Sequence, residues 1–164
     1  MINQAHFSYP FLLALLIAML IGHSFTLGEV FVILTASVFP DVDFLFGMWS
    51  EFKHPEKKES HHAYITHAPL VYVPIIIVLM VIEMKLGLLV MYGLLTHFIM
   101  DSLVAPDGIR WLYPFKDKFY LWTKITKDLY GFAFLNKYRS LRLYTVDNIA
   151  FLVTVVIVVY MITT

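Results

Sequence analysis

Five apolar runs, separated by short polar interruptions, organise this chain of 164 residues. They lie at about Phe7–Ile21, Leu27–Phe39, Thr66–Met84, Leu86–Val104 and Ile149–Ile162, with "GHSFT" between the first two. Crossing a bilayer takes about 20 residues, within a range of roughly 17–25, so the third and fourth runs are expected to cross. The first, second and fifth are short. Tilting, local thinning of the bilayer or, for the first two, a re-entrant hairpin would accommodate them. Backbone N–H and C=O groups find no water in lipid, so all five runs are read as helices. Pro74 is expected to kink the third, while Pro69 fits its first turn if Thr66 is the N-cap. There is no internal repeat and no low-complexity tract. The pattern predicts an all-α polytopic bundle, one membrane domain over residues 1–164, with an interfacial segment at 105–147.

Composition strengthens that reading. The chain is 60% hydrophobic with a mean hydropathy of +0.75, above the roughly 45–50% apolar fraction of soluble domains. Formal net charge is zero, which offers no electrostatic footprint for nucleic acid. The absence of cysteine excludes disulfides, thiolate metal ligands and a thiol nucleophile. No Lys or Arg precedes Lys53 and no small-residue cleavage site follows Leu12–Ile21, so the first run is expected to be a retained membrane segment, not a signal peptide.

Charge then orients the chain. The first two runs return it to its starting side, so the N-terminus, the loop Pro40–Ile65 and the stretch Ala105–Asp147 share one face. Of the twelve basic residues, Lys53, Lys57, Lys58 and the eight between Arg110 and Arg142 lie on that face, and Lys85 lies on the other. The positive-inside rule makes the first face cytoplasmic, with the N-terminus there. The aromatic–basic segment "IRWLYPFKDKFYLWTKITKDLYGFAFLNKYRSLRLY" reads as an interfacial belt with rings at headgroup depth. Some of its cations, Arg110 first and then Lys116, are candidates for holding a substrate phosphate.

Three short motifs carry candidate chemistry. In "VFPDVDF", Asp41 and Asp43 follow a helix-ending Pro40, and two carboxylates two apart on extended backbone can share one cation. In "HAYITH", His62 and His67 are five apart, about 140° apart on a continuous helix. They converge only if Thr66 caps the helix, with His62 before it and His67 in the first turn. His61 and His54 suit a solvated loop better. In "THFIMD", His97 and Asp101 are four apart, one turn along one helical face. Ionisable groups inside a membrane helix are functional candidates by default, although a His–Asp pair could simply join two helices.

By the topology above, all three motifs reach the cytoplasmic end of the bundle, and His6 joins them there. His23, Glu29 and Glu83 lie toward the far side and are left out. Nitrogen and oxygen donors without sulfur suit Zn²⁺, Mn²⁺ or Fe²⁺. Asp41, Asp43, His62, His67, His97 and Asp101 are more than one tetrahedral zinc requires. Two ions bridged by a carboxylate would use them all.

The motifs "PDVDF", "HAYITH" and "THFIMDSLVAPDGIRWLYPF" together resemble the membrane-bound metal-dependent hydrolases typified by a LexA-regulated inner-membrane protein. The likeness runs from His6 to about Pro114. It rests on a Pro-Asp-x-Asp segment, a His-x-x-x-Thr-His segment and a His-x-x-x-Asp helix followed by Gly and Pro. Ala63 and Tyr64 stand where the family usually has Arg-Gly, Ala68 where Ser is frequent, and Val104 where Thr is frequent. The resemblance implies a hydrolase likened to zinc-dependent phospholipase C and P1-type nucleases.

The sequence therefore predicts a cytoplasm-facing metal-dependent phosphoester hydrolase acting on a phospholipid or lipid-linked substrate. One or two divalent ions, zinc first, would sit on the six residues above. His61 or His6 would be a further ligand or the acid for the leaving oxygen, and Arg110 would steady the phosphate. A cation or proton transporter using the same His/Asp cluster, and an adaptor with a structural metal site, are the alternative readings.

Overall fold

A computed structural model describes residues 3–43, 64–104, 108–122 and 142–163. Within them the chain forms five α-helices: α1 (Asn3–Ile21), α2 (Leu27–Val38), α3 (Val73–Ile82), α4 (Met84–Val104) and α5 (Arg142–Thr163). Three 3-10 turns, Phe39–Val42, Ile65–His67 and Pro69–Tyr72, precede or follow α2 and α3. Among the described residues there is no strand, only an isolated antiparallel bridge between Ile109 and Tyr120.

Among the described residues, three helices are long and apolar enough to cross a membrane, through Gln4–Ile21, Met84–Leu103 and Tyr144–Thr163. Four sequence expectations change here. The first and fifth runs gain turns at their starts, because Asn3–His6 and Arg142–Asn148 are helical despite their polarity. The third run shrinks. Its α-helix holds only 10 residues, about 15 Å against a hydrocarbon core of about 30 Å. Pro74 lies in the first turn of α3, where its missing N–H removes no helix bond, so it starts the helix and does not kink it. Thr66 lies inside a 3-10 turn, and its hydroxyl donates to Asp43 instead of capping.

The helices assemble around α4, which packs on α2 most extensively and also on α3 and α1, while α5 packs on α1. Phe11, Val30 and Leu34 form one core cluster, joined by Ile157 and Met161 of α5. Tyr72, Leu94, Phe98 and Ile109 form another. α2 begins with a full capping box: Thr26 accepts from the Glu29 N–H, and the Glu29 carboxylate accepts from the Thr26 N–H. That carboxylate also takes the Lys85 ammonium at the start of α4. Glu29 and Lys85 thus clamp one end of the α2–α4 pair.

Toward the other end the two helices approach very closely. A Cβ placed on Gly93 would lie 2.8 Å from the Ala36 Cβ and 2.8 Å from the Ile33 carbonyl oxygen. Only a glycine allows this contact, the small-residue logic of helix pairs in lipid. One turn further along α4 stands His97. Tyr92 on the same helix donates its hydroxyl to the Pro10 carbonyl at 2.7 Å, which seats α1 beside the pair.

Candidate metal centre

The end of the bundle beyond Gly93 gathers four elements: the start of α1, the end of α2, the entry to α3 and the last turns of α4. Each contributes polar groups that are almost completely withdrawn from solvent. His6, His67, His97 and Asp101 are 0% exposed, Asp43 4% and Asp41 7%.

The α2–α4 crossing fixes His97. Its Nδ1 lies 2.8 Å from the Ser37 carbonyl oxygen. A carbonyl only accepts, so Nδ1 carries a proton and Nε2 is the ring nitrogen turned toward the cluster. The carbonyl is open to this bond because the residue three further along is Pro40, which has no N–H to give. His67 is held in the same way from another side, with Nδ1 2.8 Å from Asp43 Oδ2. The Thr66 hydroxyl also donates to that Asp43 oxygen.

Both Nε2 atoms then face one point. His67 Nε2 is 3.4 Å from His97 Nε2, 3.4 Å from Asp41 Oδ1 and 3.8 Å from Asp101 Oδ2. His97 Nε2 is 3.0 Å from Asp101 Oδ2 and 3.9 Å from Asp41 Oδ1. A tetrahedron of nitrogen and oxygen donors around an ion at about 2.0–2.2 Å has edges of about 3.3–3.5 Å. The donor set fits such an ion in type and spacing. His6 adds a further donor. Its ring stacks on His97 with centroids 4.1 Å apart, and its Nε2 lies 3.0 Å from the other Asp101 oxygen, Oδ1. His6, Asp41, His97 and Asp101 each offer one ligand atom within 4.8 Å of the others.

The electrostatics agree with a cation-binding role. His6 Nδ1, Asp41 Oδ2 and Asp43 Oδ1 are buried without a hydrogen-bond partner among the described residues. Such orphaned groups are costly unless something polar meets them. Burial alone would raise the Asp41 carboxyl, but the hydrogen bond from His67 and the imidazoles of His6 and His97 outweigh it. They hold this group below the usual carboxylate range.

Five of the residues singled out from sequence, Asp41, Asp43, His67, His97 and Asp101, thus meet in one cluster with His6. Their roles divide more finely than the motifs suggested. Asp41 and Asp43 sit at a 3-10 turn and its C-cap, not on extended backbone, and residues two apart in that geometry point about 120° away from each other. One faces the two Nε2 atoms and the other backs His67. His61 and His62 lie outside the described residues.

Arg110 belongs to a loop that docks on the end of α4. Trp111 Nε1 donates to Ser102 Oγ at 2.7 Å, and the Trp122 N–H donates to the Ser102 carbonyl at 2.7 Å. Ile109 and Tyr120 exchange backbone bonds of 3.1 and 2.8 Å. Lys116 is exposed on this loop. Sequence reasoning passed over Ser37 and Gly93, and read Thr66 only as a helix cap. Only the small-residue run Ala36–Ser37 and Gly93 hinted at close helix packing.

A bundle with three membrane-length apolar helices and an ionisable cluster sealed into one end belongs to the class of polytopic helical membrane proteins. Over residues 1–164 the chain matches the family described as YdjM inner membrane protein, and it belongs to that family. No curated protein and no solved structure matches it.

Proposed function

We propose that the protein is a membrane-embedded, metal-dependent hydrolase that cleaves a phosphoester of a lipid-linked or membrane-adjacent substrate. The observation that carries this reading is that His67 Nε2 and His97 Nε2 lie 3.4 Å apart and each lies 3.0–3.9 Å from Asp41 Oδ1 and Asp101 Oδ2. These four atoms would hold one divalent ion, with zinc suiting the donor set best. Asp101 presents its second oxygen to His6, so a bridging carboxylate and a second ion are part of the reading. An ion held there would supply a Lewis acid that polarises the ester and brings the pKa of water down to about 7.

The chain's own groups supply the rest. Asp43 and the Ser37 carbonyl hold the protons on Nδ1 of His67 and His97, which keeps both Nε2 atoms aimed inward. His6 Nδ1, buried and unpartnered among the described residues, is placed to exchange a proton with a leaving oxygen. The apolar wall of Phe98 and Tyr72 keeps bulk water away, which strengthens every charge interaction inside.

The test is elemental analysis of protein purified in mild detergent, before and after chelation, alongside release of phosphate from phosphomonoester and phosphodiester lipids. The expected result is about one or two divalent ions per chain, lost together with activity on chelation. Asp41→Asn should abolish ion binding. Asp43→Asn should weaken it about 10–100-fold, the range for an outer-shell partner. A folded, ion-free protein that still cleaves lipid after chelation would overturn the reading.

A further inference from the structure

His6 stands on a weakened turn of α1. Pro10 lies inside that helix, and a proline has no N–H for the carbonyl four residues before it, which its ring also crowds. Here that carbonyl belongs to His6. In the same turn the Ser8 hydroxyl donates back to the Gln4 carbonyl, a contact that bends helices. The helix ladder therefore does not by itself fix the direction of the His6 ring. Yet that ring is fully buried and stacks on His97 with centroids 4.1 Å apart. Its Nε2 is held 3.0 Å from Asp101 Oδ1.

Two hydroxyls brace this part of α1 from outside. On the α4 side, Tyr92 donates to the Pro10 carbonyl at 2.7 Å. On the α5 side, Tyr9 donates to Asp147 Oδ1 at 2.6 Å. The second brace is the unusual one. Asp147 is 2% exposed and lies inside the membrane-length stretch Tyr144–Thr163, where an ionisable side chain is costly. Its Oδ2 is buried with no hydrogen-bond partner among the described residues. Packed apolar side chains would join α1 to α5 without that cost. What the pair adds to packing is direction, because apolar contacts let a helix turn and slide whereas a hydrogen bond fixes it.

The sequence spacing carries that direction to the cluster. His6 and Tyr9 are three residues apart, about 60° around the helix and about 4.5 Å along it. Turning or lifting the start of α1 moves both side chains together. With Tyr9 tied to Asp147, the position at which His6 meets Asp101 and His97 is set.

We infer that Asp147 is a positioning residue for the candidate centre: through Tyr9 it holds the proline-weakened start of α1 so that the His6 ring reaches Asp101 Oδ1. The inference takes the role of His6 from the hydrolase reading. It makes α5, which supplies none of the six clustered side chains, part of the working site.

The test reads His6 itself, without metal and with it. In chelator-treated protein in mild detergent, the side-chain nitrogen resonances of His6 are assigned by their loss in His6→Gln. Asp147→Ala and Tyr9→Phe should each shift them, and the double variant should do no more than either alone, because both act through one bond. Asp147→Asn still accepts from the phenol and should stay close to wild type. Thr154→Val is the control. Thr154 is fully buried on the same helix, its hydroxyl has no hydrogen-bond partner among the described residues, and the change should leave His6 unmoved. In cobalt titrations Asp147→Ala and Tyr9→Phe should bind about 10–100-fold more weakly, the range for groups that orient a ligand. Should Asp147→Ala fail to fold, Tyr9→Phe, which removes one oxygen, reads the same bond. A merely structural staple predicts a lower unfolding temperature with His6 resonances unmoved, and that result overturns the inference whatever the cobalt affinity. So does a Thr154→Val shift as large as that of Asp147→Ala. A wild-type protein that binds no cobalt overturns the hydrolase reading, and the metal-free resonances still decide this one.

Discussion

Replacing Gly93 with alanine tests whether the candidate centre depends on the α2–α4 crossing, because the substitution touches no ligand. The added methyl would begin 2.8 Å from the Ala36 Cβ and 2.8 Å from the Ile33 carbonyl oxygen. Carbon atoms sit comfortably at about 3.5–4.0 Å, so the helices must part there by about 0.7–1.2 Å. Both neighbours offer backbone or a first side-chain carbon, and no flexible tip can yield. His97 stands one turn beyond, and its 2.8 Å bond to Ser37 stretches with the crossing. Overpacking of this kind costs about 1–3 kcal/mol, and disturbing the outer shell of a metal ligand lowers affinity about 10–100-fold. Gly28→Ala is the control. Its Cβ would meet only Thr26 Oγ1, at 3.9 Å, and alanine in a helix is mildly favoured. The assay is zinc titration of metal-stripped protein, with thermal unfolding in the same detergent. Gly93→Ala should lose both stability and zinc affinity, and Gly28→Ala neither. A Gly93→Ala protein that is destabilised yet binds zinc like wild type would refute the idea that the crossing aims His97.

Two further outcomes follow from the same geometry. His67 lies between two carboxylates, Nδ1 on Asp43 and Nε2 toward Asp41, a setting suited to a doubly protonated ring. An ion taking Nε2 must displace that proton, so zinc binding should release about one proton near neutral pH and weaken about tenfold for each unit of acidification. Calorimetry in buffers of different ionisation enthalpy measures this, and zero proton release would contradict it. The positive-inside rule predicts a cytoplasmic site, and labelling tests that orientation, since the chain has no cysteine. In right-side-out vesicles an impermeant maleimide should modify Ser24→Cys at once and Lys116→Cys only after lysis, and the reverse pattern would invert the topology.

How far the sequence reaches is clearest residue by residue. The His97–Asp101 pair was legible because a four-residue spacing on a helix fixes relative direction whatever surrounds it. The apolar runs declared helices for an equally local reason. Their lengths were misjudged at the ends, where Gln4, His6, Asp147 and Asn148 interrupt hydropathy but not the backbone. Asp147 survives inside α5 because Tyr9 donates its hydroxyl to it at 2.6 Å, a pairing between residues far apart in the chain. Glu29 was set aside as a far-side residue and Lys85 counted only for orientation, yet the two join α2 to α4. The division of labour between Asp41 and Asp43 was hidden for another reason. A 3-10 turn and extended chain differ only in backbone angles, and the motif is compatible with both.

The distribution of polar groups through the bundle also bears on whether this end performs chemistry or passes ions. Glu29 and Lys85 occupy one end, Ser37 and His97 the other. From Lys85 to His97 along α4 is about 18 Å. Phe11, Val30, Ile33, Leu34 and Leu94 are buried among α1, α2 and α4. The Tyr92 hydroxyl, also at this level, is taken by the Pro10 carbonyl. A cation or proton moving through the bundle needs successive polar partners in the membrane interior, and among the described residues the buried side chains Val30, Ile33, Leu34 and Leu94 of the α2–α4 pair offer no such series. A hydrolytic site needs the opposite arrangement: a sealed floor beneath the ion and access from a single side. The apolar plug below His97 and the loop carrying Arg110 above Ser102 favour that arrangement, and they would bring a substrate's phosphate to the mouth while its chains remain in lipid.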